Sequence, residues 1–495
     1  MKVVLLTTPV TVYGSGIIKP MIPLGLMYIG AYLRQKDIEV KIVDILALGI
    51  GRVVKHREGR RYGLSNAQIA KLIRKEKPEW VGISNMFTAY RRDAIELSEV
   101  IKEVDSKIKI VVGGAHVSID PEAVLEEGKN FDIAVVGEGE LTFEELVSGQ
   151  RLSDVAGICY RRGRKIVRNK SRELIRDLDQ LPFPAWELID TKRYLIGGPF
   201  NKKYPVYPMI SSRGCPNHCL YCSIHSLWQH KWRGRSAKNV VDEIEYYRKQ
   251  FGVEEVSFQD DSMSVNKKRM EEICDEIIAR KLKVEWTTPN GIAHWTLTKP
   301  LLKKMKQSGC YRITFGIESG DPETRRWVGK PFSLEQAKEL TQYANKIGMW
   351  TLSTNIIGFP YDTEKEILNT AKFALDSGVD QAFFYILGPR PGTPIYEIFK
   401  KEGWLMKDEN LLFSEDVACR TKYFTGQEIV TWQKKLYQDF YKQRWLNLGA
   451  VSRVFNKIKN WEDAKYIWKI GKHGIKLINN IWFGQRVVSS KTLRV

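Results

Sequence analysis

Twice along the chain, apolar runs of strand length alternate with amphipathic helical stretches. The spacing leaves room for a helical crossover between strands, and that rhythm confines the fold to parallel sheets flanked by helices. Over residues 1–150 strands are predicted at Lys2–Thr7, Glu39–Asp44, Trp80–Ser84, Ile108–Val112 and Ile133–Val136, and helices at Leu24–Gln35, Ala67–Lys75, Ala89–Val104 and Pro121–Glu127. Ligands of such open sheets bind beyond the carboxyl ends of the strands, where Pro9, Ser84-Asn85, Gly113-Gly114 and Gly137-Glu138-Gly139 fall. The rhythm weakens over 151–200, and Leu181-Pro182-Phe183-Pro184 reads as an extended linker. It returns with predicted strands at Val206–Ser211, Glu255–Phe258, Val284–Thr287, Tyr311–Gly316, Trp350–Ile357 and Gln381–Leu387. Helices at Ala237–Gln250, Lys267–Arg280, Pro300–Gln307, Leu334–Ile347 and Glu364–Ser377 separate them, and six such units over 201–400 suggest a partial or complete barrel of parallel strands. Residues 401–495 are expected to form a basic, aromatic-rich helical domain.

Length and composition set the limits. At 495 residues and 57.1 kDa, a chain of this kind holds about three domains and needs no disulfide staples. Mean hydropathy is −0.32 and 27% of residues are charged, values of a globular protein. No apolar stretch is long enough for a membrane span, and the run after Lys2 is too short for a signal peptide, so the expected location is the cytoplasm. Lysine and arginine number 78 against 58 acidic residues, a net charge of +20 that attracts phosphates and anionic surfaces. Between Thr421 and Val495, 15 basic residues face 4 acidic ones, so more than half of the surplus lies in the last segment. The stretches Ile429–Leu446 and Trp461–Ile481 mix Trp, Tyr and Ile with Lys, as an interfacial helix does. A helical cap packed on the barrel has the same composition. No nucleic-acid module is visible, and no nucleic-acid partner is expected.

The seven cysteines are unevenly spread. Cys159, Cys274, Cys310 and Cys419 stand alone in apolar or helical surroundings and read as buried thiols. Cys215, Cys219 and Cys222 share the run Arg213-Gly214-Cys215-Pro216-Asn217-His218-Cys219-Leu220-Tyr221-Cys222, directly after the first strand of the second series. Three thiolates on one loop can hold three corners of a cubane iron–sulfur cluster and leave one iron open for chemistry. A structural zinc ion would instead need His218, His225 or His230 as a fourth ligand.

This cysteine loop resembles the signature of the radical S-adenosylmethionine superfamily. The resemblance implies a [4Fe–4S] cluster on Cys215, Cys219 and Cys222, with S-adenosylmethionine chelating the open iron and cleaved to a 5′-deoxyadenosyl radical. It sets Tyr221 beside the adenine, Asp260 or Asp261 at the methionyl amino group, Glu318 and Ser319 near the ribose and methionine, and Gly358 against the adenine. A strand-end carboxylate such as Asp260 or Asp261 can equally cap the next helix.

The amino-terminal motifs Pro23-Leu24-Gly25-Leu26, Val112-Gly113-Gly114-Ala115-His116 and Val136-Gly137-Glu138-Gly139 resemble the cobalamin-binding domain of the B12-dependent branch of that superfamily, the family that includes the anaerobic magnesium-protoporphyrin ester cyclases. The fold so implied is α/β: a Rossmann-like parallel sheet binding cobalamin, then a partial six-unit barrel, then a helical carboxy-terminal segment. Leu24, Ser84, Gly113, Gly114, His116, Gly137 and Glu138 are the residues the resemblance sets on the cobalamin surface. His116 is not expected to ligate cobalt, because Gly114 and Ala115 precede it in place of the Asp-x-His-x-x-Gly ligand motif. A hydrogen bond within its own loop is the expected role. The implied activity is C-methylation of an unactivated carbon in an apolar or lipid-like small molecule, with an electron donor such as flavodoxin or ferredoxin. Radical ring closure without methyl transfer, of porphyrin or isoprenoid-lipid type, is the alternative, and a cobalamin and iron–sulfur sensor is the non-enzymatic one. Of the two readings of the basic tail, packing on the barrel is preferred to peripheral contact with the inner face of the membrane.

Overall fold

Serine, threonine or asparagine caps each crossover helix of the second strand series. Ser236, Asn266, Thr298, Ser333 and Thr363 each accept a backbone N–H of the first turn, which fixes where the chain leaves a strand and enters a helix. The computed structural model describes residues 1–13, 18–57, 59–194, 201–330, 332–406 and 418–483. They form two compact units. The first comprises Met1–Tyr194, Ser223–Arg233 and Met406, and the second comprises 201–222, 234–405 and 418–483.

The first unit contains β1 (Lys2–Thr7), β2 (Val10–Val12), β3 (Glu39–Val43), β4 (Val53–His56), β5 (Gly59–Tyr62), β6 (Trp80–Ser84), β7 (Lys109–Gly113), β8 (Ile133–Val135), β9 (Ile158–Arg162) and β10 (Lys165–Arg168). Its main sheet runs in the order β10-β9-β8-β7-β6-β1-β3. Strands β3, β1, β6, β7 and β8 are parallel, and β9 and β10 join antiparallel. The strand order reverses between β1 and β6, so the ligand end of the sheet opens beyond Thr7 and Ser84. Val4, Leu6, Val81, Ile83, Ile110 and Val112 are fully buried beneath the helices Asn66–Glu76 and Arg91–Val104.

Two features differ from the sequence expectation. Residues 151–200, expected as a linker, supply β9 and β10. Their alternation is too short to register as a domain element, yet their backbone completes the sheet edge beside β8. A second, three-stranded antiparallel sheet, β2-β5-β4, carries too many arginines and lysines to read as strands.

The second unit holds β11 (Val206–Met209) and β14 (Glu255–Phe258) to β18; β12 (Ser212–Arg213) and β13 (Arg233–Gly234) are two-residue strands. The later strands are β15 (Glu285–Ile292), β16 (Cys310–Glu318), β17 (Trp350–Ile357) and β18 (Gln381–Ile386). The order β11-β14-β15-β16-β17-β18 is parallel throughout, an open six-unit barrel with edges at β11 and β18. The helix Gly426–Leu446 covers the β18 edge. Gln433 donates to the Phe384 carbonyl at 2.7 Å, the Phe384 N–H donates to the Tyr437 hydroxyl at 3.1 Å, and Ile429, Leu436 and Phe440 bury themselves against Ile357 and Phe384.

The carboxy-terminal helices belong to this unit and pack on the barrel as a helical cap. Tyr466 of the helix Trp461–Phe483 is fully buried edge-on against Tyr311 and Trp350, and Asp463 pairs with Lys202 at 2.7 Å. Cys159, Cys274, Cys310 and Cys419 are buried thiols. Among the described residues no helix is long and apolar enough to cross a membrane.

Candidate functional site

The three clustered cysteines follow β11 on a loop clamped from below by buried charge. Asp260, 3% exposed at the end of β14, accepts hydrogen bonds from the Ser211 N–H (3.1 Å) and the hydroxyls of Ser211 (2.7 Å) and Ser212 (2.5 Å). Arg269 donates to the carbonyls of Ser211 and Arg235 at 2.5 Å each, and Arg235 donates to the Ile210 carbonyl at 3.1 Å. Glu243, wholly buried, pairs with Arg235 and accepts the Tyr207 hydroxyl. Asp261 receives the Gly214 N–H at 2.9 Å, immediately before Cys215.

The other side of the loop rests on the turn after the helix Pro322–Trp327. Leu220 donates to the Val328 carbonyl at 3.1 Å, and the Cys219 thiol to the Gly329 carbonyl at 3.7 Å. Gly329 has φ +78°, and a Cβ there would lie 2.9 Å from the His218 carbonyl oxygen, so no larger residue fits. Cys219 is buried and Cys215 and Cys222 are half-buried. Burial pushes the Cys215 and Cys219 thiols above their ordinary range, Asn217 N–H bonding to Cys215 works against it, and the Lys330 ammonium opposes it at both. Metal binding removes those protons.

Among the described residues, the one His/Cys/Asp/Glu trio whose donor atoms all lie within 4.8 Å of one another is His56, Asp93 and Glu96. In the first-unit trio, Glu96 already takes Arg61 at 3.0 Å and Arg57 besides.

At the carboxyl end of β16, Glu318 holds a left-handed backbone at φ +65°. For a non-glycine residue such strain costs about 1–3 kcal/mol, and it gathers where a side chain must be aimed. Its carboxylate pairs with Lys330 at 3.1 Å, both side chains 12% exposed. Burial alone would lower the Lys330 ammonium's pKa, but Glu318 and then Cys219 outweigh it and hold the group charged. The ammonium stands 5.9 Å from the Tyr221 ring centre, and that ring lies 6.0 Å from Phe359. Sequence reasoning missed Lys330. It stands beyond a helix, after a turn with no periodic signal, and only the Gly329 beside it hints at a constrained position.

Three other predicted residues act one step back from this pocket. Asp260 is consumed by the loop clamp. Ser319, 2% exposed, shares its hydroxyl with Thr370 (3.3 Å) and accepts the Asp321 N–H (3.1 Å). Gly358 has φ +83°, and its absent side chain would meet Ile429 at 3.2 Å, so the glycine answers the covering helix. The Gly358 and Phe359 N–H groups both donate to Asp362 (3.1 and 3.0 Å), whose burial pushes its carboxyl from 3.8 up to about 7.

In the first unit the glycine turns meet at the strand ends. The Asn85 N–H donates to the Gly113 carbonyl at 2.7 Å. A Cβ on Gly114 would fall 2.6 Å from the Asn85 carbonyl oxygen, one on Gly113 would make ordinary contact with Val135, and one on Gly137 would meet nothing within 4 Å. Ser118, unmarked in the sequence, ties the turns together by donating to the Gly114 carbonyl and accepting the Gly137 N–H, both at 2.9 Å. The His116 Nδ1 lies 3.1 Å from the hydroxyl of Thr88, in the loop after β6, so this bond joins two loops where one within its own loop was expected. Leu24 is buried at the start of its helix, and Ser84 is half-buried at the end of β6. Met86 and Phe87, beside Ser84, are 51% and 40% exposed, and the Asn85 Oδ1 is buried without a donor. An apolar shelf, open space over Gly137 and an orphaned carbonyl fit a broad, amide-edged ring system. Glu138 is occupied by Arg233.

The chain matches the model of the radical SAM superfamily over residues 209–374 and that of the B12 binding domain over 11–147. An uncharacterized methyltransferase of Pyrococcus horikoshii is 32% identical over 85% of this chain and 87% of its own. The chain belongs to the B12-binding radical SAM family. The cytidylyl-2-hydroxyethylphosphonate methyltransferase of Streptomyces wedmorensis is 29% identical over 94% of this chain and 93% of its own. The anaerobic magnesium-protoporphyrin IX monomethyl ester cyclase of Cereibacter sphaeroides is 27% identical over 77% and 63%. In fold, the chain is similar to the radical S-adenosylmethionine methyltransferase TsrM of Kitasatospora setae (TM-score 0.67, 17% identity, 82% of this chain and 77% of that one) and to the cobalamin-dependent radical enzyme OxsB (0.67, 17%, 97% and 72%). Members of this family are enzymes. The radical SAM domain implies a [4Fe–4S] cluster and S-adenosylmethionine, and the B12-binding domain implies cobalamin.

Gly329→Ala should destabilise the cysteine loop by more than about 1 kcal/mol and lower the iron retained per chain after anaerobic reconstitution. Unchanged iron content would show that the turn does not support the loop. Asp362, whose folded pKa is raised, contributes stability that is complete below pH 3.8 and lost as pH climbs to about 7. Asp362→Asn should therefore gain stability relative to the parent between those values in denaturant titrations. A difference that is flat with pH would refute the assignment.

Proposed function

We propose that Cys215, Cys219 and Cys222 hold the cluster, that S-adenosylmethionine lies between Tyr221, Asp261, Glu318 and Lys330, and that cobalamin lies across Leu24, Ser84, Gly113, Gly114, His116, Gly137 and Glu138. The observation that carries this reading is the cysteine loop, held by Asp260 and Arg269 on one side and by Gly329 on the other. Lys330 suits the methionyl carboxylate, Asp261 the ammonium, and Glu318 the ribose hydroxyls. Tyr221 and Phe359 offer rings to the adenine. Bound there, these groups supply a 5′-deoxyadenosyl radical and a transferable methyl group. The chain's own part is to fix positions and exclude water.

The reaction proposed is methylation of an unactivated carbon. Over alignments that take in most of both chains, the two methyltransferase relatives are 32% and 29% identical to this chain, against 24% for the anaerobic magnesium-protoporphyrin IX monomethyl ester cyclase of Synechocystis sp., and that favours methyl transfer over ring closure. The test incubates reconstituted protein with reductant, S-adenosylmethionine and extracted metabolites, and follows product mass. A gain of one CH2 together with 5′-deoxyadenosine, abolished by alanine at any of the three cysteines, is expected. Loss of two hydrogens would establish ring closure or desaturation instead.

An acidic flavodoxin or ferredoxin suits the strongly basic surface as electron donor. The proposed location is the cytoplasm, with an apolar substrate and peripheral contact at the inner face of the membrane. Phe455, Trp461 and Trp468 support that contact, being 67%, 72% and 64% exposed on the basic tail, with Lys472 over the Trp468 ring at 5.1 Å. Serine at all three positions should reduce sedimentation with anionic vesicles while leaving the barrel folded. Equal binding would remove the membrane from the account.

A further inference from the structure

The match to the B12 binding domain ends at residue 147, yet the first unit contains a later segment, Ser223–Arg233, which begins directly after Cys222. Its last residue is anchored to the glycine turn at the end of β8. Arg233 Nη1 donates to both oxygens of Glu138 (3.0 and 2.9 Å) and to the Ile175 carbonyl (2.6 Å), and the Ile175 N–H donates back to Glu138 at 2.8 Å. The two side chains are 10% and 3% exposed. The guanidinium lies 5.3 Å from the Trp228 ring centre.

With Nη1 so engaged, three donors of the segment stay buried without an acceptor: Nε and Nη2 of Arg233, and the Trp228 indole N–H. A buried donor left unmade costs about 1–3 kcal/mol. Several in one place call for a ligand rich in acceptors. Beside them Gly137 adjoins open space, and along the same sheet edge the end of β6, with β7 between, carries the orphaned Asn85 oxygen.

We infer that Arg233 and Trp228 complete the cobalamin site, donating hydrogen bonds to the amide carbonyls on the corrin's rim, with Glu138 as the anchor that aims Arg233. This assignment rests on the cobalamin reading above and deepens it. Glu138 then serves through Arg233 rather than by touching the corrin. The insert also makes the residue after the last cluster cysteine the start of the cobalamin unit, so the two cofactor regions share one stretch of backbone.

The test is equilibrium binding of hydroxocobalamin to the full-length protein, followed by absorbance. Trp228→Phe keeps the ring and removes one donor. Arg233→Lys keeps the charge opposite Glu138 and removes Nε and Nη2. Each should weaken binding by about three- to tenfold, with the thermal transition and iron content of the parent. The same ratios should hold for cobinamide, which retains the rim amides and lacks the nucleotide. Parent-like affinity in both variants would overturn the inference while leaving the cobalamin reading intact. Ratios that vanish with cobinamide would also overturn it, because the acceptor would then be the nucleotide phosphate. Failure of the parent protein to bind cobalamin would sink the broader reading itself.

Discussion

Three thiols can share a metal cluster only if the loop that carries them does not move, and in this protein that rigidity comes from buried charge. Asp260 receives three hydrogen bonds from Ser211 and Ser212, Arg269 and Arg235 donate to the carbonyls beneath, and Glu243 pairs with Arg235. Buried ions of this kind contribute little net stability, because desolvation offsets most of their attraction. Removing Glu243 or Arg235 leaves the other buried and unpaired, so the arrangement specifies a geometry more than it stabilises the fold.

The pocket above the loop follows the same logic. Glu318 bears backbone strain at the end of β16, and Lys330 holds it by an ion pair that burial would otherwise discourage. The strain is tolerated because capped helices and a fully parallel sheet fix both ends of that strand. The open β18 edge would undermine the sheet if left bare, and the helix Gly426–Leu446 closes it with Gln433 and Tyr437.

Much of this was legible in the sequence. Strand and helix rhythm located β1, β6, β14 and β17 to the residue, because parallel strands buried on both faces read as continuous apolar runs. The cysteine spacing marked the loop, since few other chemistries need that pattern. Pairings between distant segments were hidden. Asp260, Ser319 and Gly358 sat at plausible ligand positions, yet their partners, Ser211, Thr370 and Ile429, are named by tertiary packing alone. Lys330 follows a turn and Arg233 opens a two-residue strand, both too short for periodicity, and a lone basic residue there carries no signal. The aromatic tail could have been a membrane helix or a cap by composition. Burial of Tyr466 and Phe440 shows that much of it is cap, while Trp461 and Trp468 stay outside.

The account as a whole depends on a cluster with one iron left for S-adenosylmethionine. Electron paramagnetic resonance of the anaerobically reduced protein, recorded with and without S-adenosylmethionine, addresses that iron directly. A [4Fe–4S] signal whose g-values change when S-adenosylmethionine is added is the predicted result. A spectrum with no cubane signal, or one indifferent to S-adenosylmethionine, would contradict it.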